Sequence, residues 1–251
     1  MVHKEAGHRF LARLGKKRLR PGGIEATHWL YKQANLSEGK KILEVACNMG
    51  TTAVEVAQTY HCSVVGVDLD RKALKKAEAN IRKAGVEKYV SVQYANATNL
   101  PFADQSFDVV INEAMMTMLP KAAKLKAVQE YYRVLKPGGV LLTHDVSFQE
   151  LQMEQLLEKL RETINVRVEP LSVENWEQLF RQAGFANVTT KYGAMTLLSP
   201  RGMIRDEGIF GAMKIIKNGL KKENRTMFRQ MFHFFNQTGK NLKYIAVCSR
   251  K

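Results

Sequence analysis

Long hydrophobic runs are missing from this 251-residue chain. Its first ten residues, MVHKEAGHRF, lack the apolar stretch of a secretory signal, and nowhere do about 18 uncharged apolar residues follow one another. The sequence therefore predicts neither a transmembrane helix nor an exported protein. We expect the protein in the cytoplasm.

Cysteine is scarce as well. The three cysteines, Cys47, Cys62 and Cys248, have no metal-ligand spacing, and an odd number is a poor basis for a disulfide framework. We expect reduced, mostly buried thiols and no bound metal. Internal repeats, low-complexity tracts and Pro/Ser-rich linkers are also lacking, so the length favours a single domain over residues 1–251.

Acidic residues are few at both ends of the chain, whose net charge is +15. Residues 1–41 hold 10 basic and 3 acidic side chains, residues 201–251 hold 12 and 3, and the segment between them has a net charge of −1. A basic surface attracts anionic partners, which leaves open an acidic small molecule, a nucleic acid or an acidic membrane face. A solvated surface without a partner is an equally good interpretation.

From Lys40 to Val146 the chain alternates short β-branched runs with helical patterns, which is typical of a parallel sheet covered by helices. The predicted strands are 41–46, 63–68, 89–95, 107–112 and 139–146, and the predicted helices are 51–60, 71–85 and 121–136. Each helix places apolar residues three and four positions apart, which gives it one face to bury.

The second half continues with helical and strand patterns. We predict a helix over 150–162, a helix that Ser172 caps and Gly184 ends, and a strand over 187–198. Two helical segments, about 203–220 and 222–237, then precede a last strand over 242–250. The predicted organisation is a helical N-terminal cap (1–38), a core (40–146) and a C-terminal half (147–251) with a helical insertion (199–240).

Ligands of open parallel sheets bind at the carboxyl ends of the strands, so the residues just after each strand are informative. The first predicted strand leads into ILEVACNMGTTA (42–53), in which the acidic Glu44 precedes a turn of small residues and a helix start. Small residues let a ligand approach the backbone closely. A turn of this kind occurs in many nucleotide-binding folds.

Asp68 ends the second predicted strand, 24 residues after Glu44. A carboxylate at this position is placed to accept both hydroxyls of a ribose. Leu69 beside it is placed to cover one face of an adenine. The competing interpretation is that Asp68 only caps the helix that starts near Arg71.

Two further motifs are YANATNLPFADQSFDVV (94–110), which begins at the end of the third strand, and RVLKPGGVLL (133–142), in which residues 137–139 are expected to make a tight turn into the fifth strand. With the first two motifs they resemble the class I S-adenosylmethionine-dependent methyltransferases, in particular the ubiquinone/menaquinone-type small-molecule group. The resemblance implies an α/β fold with a Rossmann-like, seven-stranded, mostly parallel sheet, helices on both faces and an antiparallel last strand. A nicotinamide-binding dehydrogenase would instead show Gly-x-Gly-x-x-Gly where this chain has ACNMGT.

The resemblance also implies a bound S-adenosylmethionine, with S-adenosylhomocysteine as the product. Glu44 would accept from the ammonium group of the cofactor, and Asn96 with the backbone of Ala97 would meet the adenine edge. Asn48 replaces a glycine that is usual in the family, and asparagine tolerates a left-handed backbone. The residues expected to hold the cofactor are Glu44, Ala46, Asn48, Gly50, Asp68, Leu69, Asn96, Ala97 and Asn112.

No obvious catalytic dyad accompanies these motifs. Methyl transfer does not require one, because alignment of donor and acceptor supplies much of the rate, and a base is needed only if the acceptor must lose a proton. Glu113 and His144 are the candidates for such a role, although a hydrogen-bonded structural histidine is the favoured interpretation of His144. Gly22 and Gly23 start a helix, or else let that segment close with the basic segment 201–229 as a lid, with Arg20 facing an anionic acceptor.

The acceptor class is the least determined feature. Methyltransferases that modify exocyclic amino groups of nucleic acids often carry Asn/Asp-Pro-Pro-aromatic after the fourth strand, where this chain has NEAMM, and no RNA-binding module is visible. We therefore expect a small-molecule acceptor, with acidic ones among the candidates. An RNA methyltransferase that uses the basic ends, and a cofactor-binding protein without catalysis, remain alternatives.

Overall fold

The computed structural model describes residues 5–148, 154–237 and 241–251. Its strands are β1 (Lys41–Val45), β2 (Ser63–Asp68), β3 (Val90–Tyr94), β4 (Phe107–Glu113), β5 (Leu135–Phe148), β6 (Leu171–Ser172), β7 (Asn187–Ala194) and β8 (Leu242–Arg250). They form one sheet in the order β3-β2-β1-β4-β5-β8-β7, with β6 paired to β5. The strand pairs are parallel except those of β8, which runs antiparallel to β5 and β7.

The helices are α1 (Gly7–Leu14), α2 (Gly23–Ala34), α3 (Thr51–Tyr60), α4 (Arg71–Ala84), α5 (Lys121–Val134), α6 (Glu154–Ile164), α7 (Val173–Gln182), α8 (Pro200–Gly219) and α9 (Arg225–Asn236). A short 3-10 helix covers Met116–Met118. Over the three described ranges, none of these helices is long and apolar enough to cross a membrane.

Helix α4 shows how the sequence sets the local structure. The carboxylate of Asp70 accepts from the amides of Lys72 and Ala73, which would otherwise lack partners in the first turn. Gly85 ends the helix with a φ of 66°, a left-handed conformation that glycine adopts without strain. The buried face consists of Ala73, Leu74, Ala77 and Ile81.

Helices cover both faces of the sheet. On one face, α5 and α7 bury Tyr131 and Trp176 in a cluster with residues of β4, β5 and β8. On the other face, α2 and α3 bury Leu30 and Val56. A further cluster, in which Ile215 is fully buried, joins α1, α8 and α9. Burial of these apolar side chains is the main favourable term that holds the layers together.

The predicted fold class is confirmed. The main path of the sheet has the seven predicted strands, β8 is the antiparallel last strand, and α8 with α9 forms the insertion before it. The two-residue β6 is an addition that the sequence did not predict. The start of the predicted helix over 150–162 lies outside the described residues. Residues 1–4 of the N-terminal segment and 238–240 of the insertion also lie outside them.

The turn predicted at 137–139 is a bulge within β5. Leu135 pairs with Phe107, whereas Val140 pairs with Val109, so the residues between Leu135 and Val140 are looped out of register. Gly138 lies in this loop with a φ of 74°. The glycine therefore interrupts a strand, and α5 ends before it at Val134.

Candidate functional site

A cavity of about 1040 Å³ opens at the carboxyl ends of β1, β2 and β4. Strand β1 lies between β2 and β4, so the strand order reverses at this point, which is where open α/β sheets bind ligands. Six of the residues expected to hold the cofactor or to act in catalysis line the cavity: Glu44, Ala46, Asn48, Asp68, Leu69 and Glu113.

The turn after β1 has a left-handed backbone at alternate residues. The φ angle is 59° at Ala46, 48° at Asn48 and 70° at Gly50. Glycine adopts this conformation freely and asparagine readily, whereas it costs other residues about 1–2 kcal/mol. Ala46 and Asn48 line the cavity, but Gly50 caps α3, where an added Cβ would lie 3.2 Å from Cβ of Ala77.

Asp68 holds the turn against β2. Its Oδ2 accepts from the amide of Asn48 and its Oδ1 from the amide of Asp70, both at 2.8 Å. Because Asp70 caps α4, the competing interpretation of Asp68 as the helix cap is wrong. Each carboxylate oxygen keeps a second lone pair that can accept from a ligand hydroxyl. Leu69, whose side chain is exposed, lies beside it on the cavity wall.

Glu44 is a buried carboxyl group on the cavity wall. Its Oε2 atom has no hydrogen-bond partner within the described part of the chain. Burial, and then the negative charge of Glu113, raise the pKa of Glu44 to about 8, although the Arg20 guanidinium opposes them. A buried acceptor without a partner is costly, so this oxygen is suited to a ligand donor.

Glu113 is the centre of a buried polar network. Nε of Arg20 lies 2.8 Å from Oε2 of Glu113, and the hydroxyl of Thr27 donates to Oε1 at 2.8 Å. Burial raises the pKa of Glu113, but the charge of Arg20 and a hydrogen bond from His144 outweigh it and lower the pKa to about 2. Arg20 also donates to Thr27 and Thr52. Arg20 therefore faces Glu113, whereas the lid interpretation of this segment expects it opposite an anionic acceptor.

His144 has both ring nitrogens within reach of protein groups. The side chain is fully buried, and Nε2 accepts from the amide of Gly22 at 2.9 Å. Its Nδ1 lies 3.3 Å from Oε1 of Glu113 and 3.5 Å from the hydroxyl of Thr27. Because Nε2 accepts, the proton of a neutral ring belongs on Nδ1, facing Glu113. This geometry favours the structural interpretation of His144.

Four predicted cofactor residues, Gly50, Asn96, Ala97 and Asn112, do not line the cavity. Oδ1 of Asn96 accepts from the amide and the hydroxyl of Thr98, both at 3.0 Å. Ala97 packs in the core, and Nδ2 of the fully buried Asn112 donates to the hydroxyl of Tyr131 at 3.4 Å. Contact of these residues with a ligand stays a prediction.

The structure adds an aromatic platform that sequence reasoning missed. The guanidinium carbon of Arg71 lies 4.2 Å from the ring centroid of Tyr94, and both residues line the cavity, as Leu69 does. The Tyr94 side chain is exposed at the end of β3. In the sequence, the aromatic residue at the start of the YANATNLPFADQSFDVV motif was the signal that could have indicated this surface.

A large part of the cavity wall is apolar. We call this part the apolar chamber, and it is formed by Met115, Met118, Leu160, Ile164, Val166, Val168, Met195, Leu197, Met231 and Phe235. These residues lie between positions 115 and 235, so no local pattern in the sequence marks them as one surface.

Asp145 also lines the cavity, and the hydroxyl and amide of Thr117 donate to its carboxyl group. Burial raises the pKa of Asp145.

Comparison with known proteins identifies the family. A methyltransferase domain family matches residues 42–139, which run from β1 into β5. An uncharacterized protein of Haemophilus influenzae is 57% identical over 251 residues and is covered completely, as is this chain. A demethylmenaquinone methyltransferase of Anoxybacillus flavithermus is 28% identical over 182 residues, which cover 64% of this chain and 76% of that protein. The chain belongs to the class I S-adenosylmethionine-dependent methyltransferases.

Other matches agree with this family. Methyltransferase GfsG of Streptomyces halstedii is 34% identical over 128 residues. These residues cover 51% of this chain and 45% of GfsG, so the chain spans about half the length of that relative. The structure of a Haemonchus contortus phosphoethanolamine N-methyltransferase, solved with S-adenosyl-L-methionine, superposes with a TM-score of 0.76 at 18% identity. That match covers 98% of this chain and 56% of the other, and it supports the fold. The predicted resemblance to small-molecule methyltransferases is thus confirmed, and so is S-adenosylmethionine as the cofactor of the family.

Proposed function

We propose that this methyltransferase transfers a methyl group from S-adenosylmethionine to a small-molecule acceptor bound in the apolar chamber. The observation that carries the proposal is that one cavity joins the two parts. Glu44 and Asp68 line it at the strand ends, and the same cavity continues into a chamber wall of methionine and aliphatic side chains. Donor and acceptor held in one cavity can be aligned for direct transfer.

The strand-end residues fit the cofactor. Oε2 of Glu44, which has no partner among the described residues, is suited to the ammonium group, and the free lone pairs of Asp68 are suited to the ribose hydroxyls. Leu69, Tyr94 and Arg71 offer apolar and stacking surfaces to an adenine. When bound, S-adenosylmethionine supplies an electrophilic methyl group on its sulfonium.

The residues of the chamber support an acceptor that is apolar over most of its surface. Flexible side chains such as Met115, Met118 and Met231 can adapt to its shape and exclude water. An acidic group on the acceptor would meet Lys17, which also lines the cavity, rather than Arg20, which is paired with Glu113. The paired and strongly acidic Glu113 is a poor base, so the chain acts mainly by positioning.

The segment 199–240 is proposed as the lid of this cavity within a single domain over residues 1–251. In support, α9 contributes Met231 and Phe235 to the chamber wall. The N-terminal segment is bonded to the chain just before this lid, because the carbonyl of Pro21 accepts from the amide of Thr196 at 2.8 Å. Opening of the chamber would then separate α8 and α9 from the N-terminal helices.

Calorimetry with S-adenosylhomocysteine tests the cofactor half of the proposal. Hydrogen bonds to a charged group contribute about 1.5–3 kcal/mol, so we expect Asp68→Ala to weaken binding by roughly 10- to 100-fold. The control is Asp104→Ala, because Asp104 is an exposed carboxylate paired with Arg133. A 2′-deoxy analogue should bind the wild type more weakly than S-adenosylhomocysteine does. The Asp68→Ala variant should bind the two compounds with the same affinity. Absence of binding to the wild type would refute the proposal.

A labelled methyl donor tests the acceptor half. We expect label to enter a small molecule of a metabolite extract, and that product should partition into organic solvent because the chamber is apolar. Label in RNA would instead favour the RNA alternative, with binding that falls steeply as salt rises. Tight cofactor binding without transfer to any pool would indicate a protein that has lost catalysis.

A further inference from the structure

Helix α8 carries an exposed apolar surface outside the cavity. Six large apolar side chains of the segment 201–222 are exposed: Ile204 (48%), Ile209 (63%), Phe210 (88%), Met213 (61%), Ile216 (38%) and Leu220 (51%). We call them the α8 patch. Ile209, Met213, Ile216 and Leu220 follow one another at spacings of three and four, so they form one stripe on the helix. Contiguous exposed apolar surface marks an interaction site.

Basic side chains dominate the charge around the α8 patch, and the exposed Glu223 directly after it is the nearest acidic neighbour in sequence. Within residues 201–222, all of which are described, every exposed charged side chain is basic, and the two acidic residues, Asp206 and Glu207, have side chains at most 2% exposed. Lys214, Lys217, Lys221 and Lys222 form no ion pair with another described residue. The surface thus combines apolar side chains with unpaired cations, which is the composition of a helix that lies in a membrane interface.

The inner face of α8 packs on the wall of the apolar chamber. Ala212 and Ile215 are buried in the cluster that contains Leu11 and Met231, and the last two residues also line the cavity. The α8 patch is therefore the outer surface of the helical layer whose inner surface contacts the chamber. This arrangement would bring the chamber close to whatever surface the α8 patch binds.

We propose that the α8 patch docks the protein on the surface of an anionic lipid bilayer. The apolar stripe would enter the boundary between headgroups and acyl chains while the lysines contact anionic headgroups. A second copy of the chain is a poorer partner for the same surface. A two-fold contact through the α8 patch would place the lysines of one copy near those of the other without exposed acidic residues of the segment to compensate.

Vesicle co-sedimentation with the full chain tests the proposal. We expect binding to vesicles in which about a third of the lipid is phosphatidylglycerol, and binding should weaken as salt rises from about 0.1 M to about 0.5 M. Phosphatidylcholine vesicles should bind at least tenfold less. Phe210→Ser should reduce binding to the anionic vesicles about tenfold or more, because burial of a phenylalanine contributes about 1.5–3 kcal/mol.

Charge and control variants make the test specific. Lys214→Gln with Lys217→Gln should reduce binding to anionic vesicles by roughly 30-fold, at about 1 kcal/mol per lysine. Tyr192→Ser, at a side chain that is 47% exposed on β7, should leave binding unchanged. Every variant should keep the wild-type affinity for S-adenosylhomocysteine, which separates this proposal from the proposed function.

Two outcomes would overturn the docking proposal. One is absence of binding to anionic vesicles by a protein that still binds S-adenosylhomocysteine. The other is a wild-type dimer in light scattering that Phe210→Ser converts to a monomer while vesicle binding is unaffected, which would assign the α8 patch to a second copy of the chain.

Discussion

Protonation of Glu44 makes cofactor binding depend on pH. With a pKa of about 8 in the ligand-free protein, Glu44 holds a proton at neutral pH, whereas the carboxylate is the form that accepts from an ammonium group. Binding therefore has to release that proton. For a group with this pKa, the dissociation constant should be about 25-fold larger at about pH 6 than at about pH 7.5.

Calorimetry with S-adenosylhomocysteine across this pH range measures the effect. At about pH 7, binding should release close to one proton per site, which appears as a difference in heat between buffers of different ionisation enthalpy. His8 also lines the cavity and its pKa is lowered by burial and by Arg9, so the variant Glu44→Gln is the necessary control. Glu44→Gln should bind more weakly at about pH 7.5 and lose the pH dependence.

The raised pKa of Glu44 also makes the stability of the protein depend on pH. The folded-state pKa of Glu44 lies above the ordinary value of 4.5, so between these two values the unfolded chain has lost a proton that the folded chain still holds. Stability of the ligand-free protein should therefore decrease by up to about 1.4 kcal/mol per pH unit from about pH 5 to about pH 8. Glu44→Gln should remove this decrease. A wild-type dissociation constant that is flat with pH, or a slope that survives in Glu44→Gln, would refute the reasoning.

Three further substitutions test the site by thermal or urea unfolding. Arg20→Met should destabilise the protein by about 3–5 kcal/mol, because it leaves the charge of Glu113 buried and unpaired, and a loss below about 1 kcal/mol would contradict the network. Ala46→Gly should stabilise the protein by up to about 1 kcal/mol by relieving the left-handed backbone, and a clear loss of stability would argue against that strain. His144→Phe should cost about 1–3 kcal/mol by leaving the amide of Gly22 without its acceptor, while affinity for S-adenosylhomocysteine changes less than about twofold; a large loss of affinity would show that His144 does more than hold this segment.

The parallel sheet could be predicted from the sequence because its signals are local. Each strand is a short β-branched run and each helix carries its own apolar period and stop, as α4 does with Asp70 and Gly85. The bulge in β5 escaped prediction because it depends on register with β4: Leu135 pairs with Phe107 and Val140 with Val109. Register is a property of two strands together, and the PGG sequence alone also fits a tight turn.

The candidate site also has a part that the sequence predicts and a part that it does not. Glu44 and Asp68 follow strand ends, so topology alone brings them to one edge of the sheet. The pairing of Arg20 with Glu113 joins residues 93 positions apart, and the sequence gives no reason to prefer that partner to a substrate. The apolar chamber was also beyond prediction, because residues such as Phe235 read as ordinary core positions until the packing of α9 places them on the cavity wall.

A crystal structure with S-adenosylhomocysteine bound would test the central claim most directly. We predict an adenosyl ligand across the ends of β1 and β2, with its ammonium group on Glu44 and its ribose hydroxyls on Asp68. A ligand seated elsewhere, or a ribose that leaves Asp68 bonded only to the amides of Asn48 and Asp70, would contradict the claim.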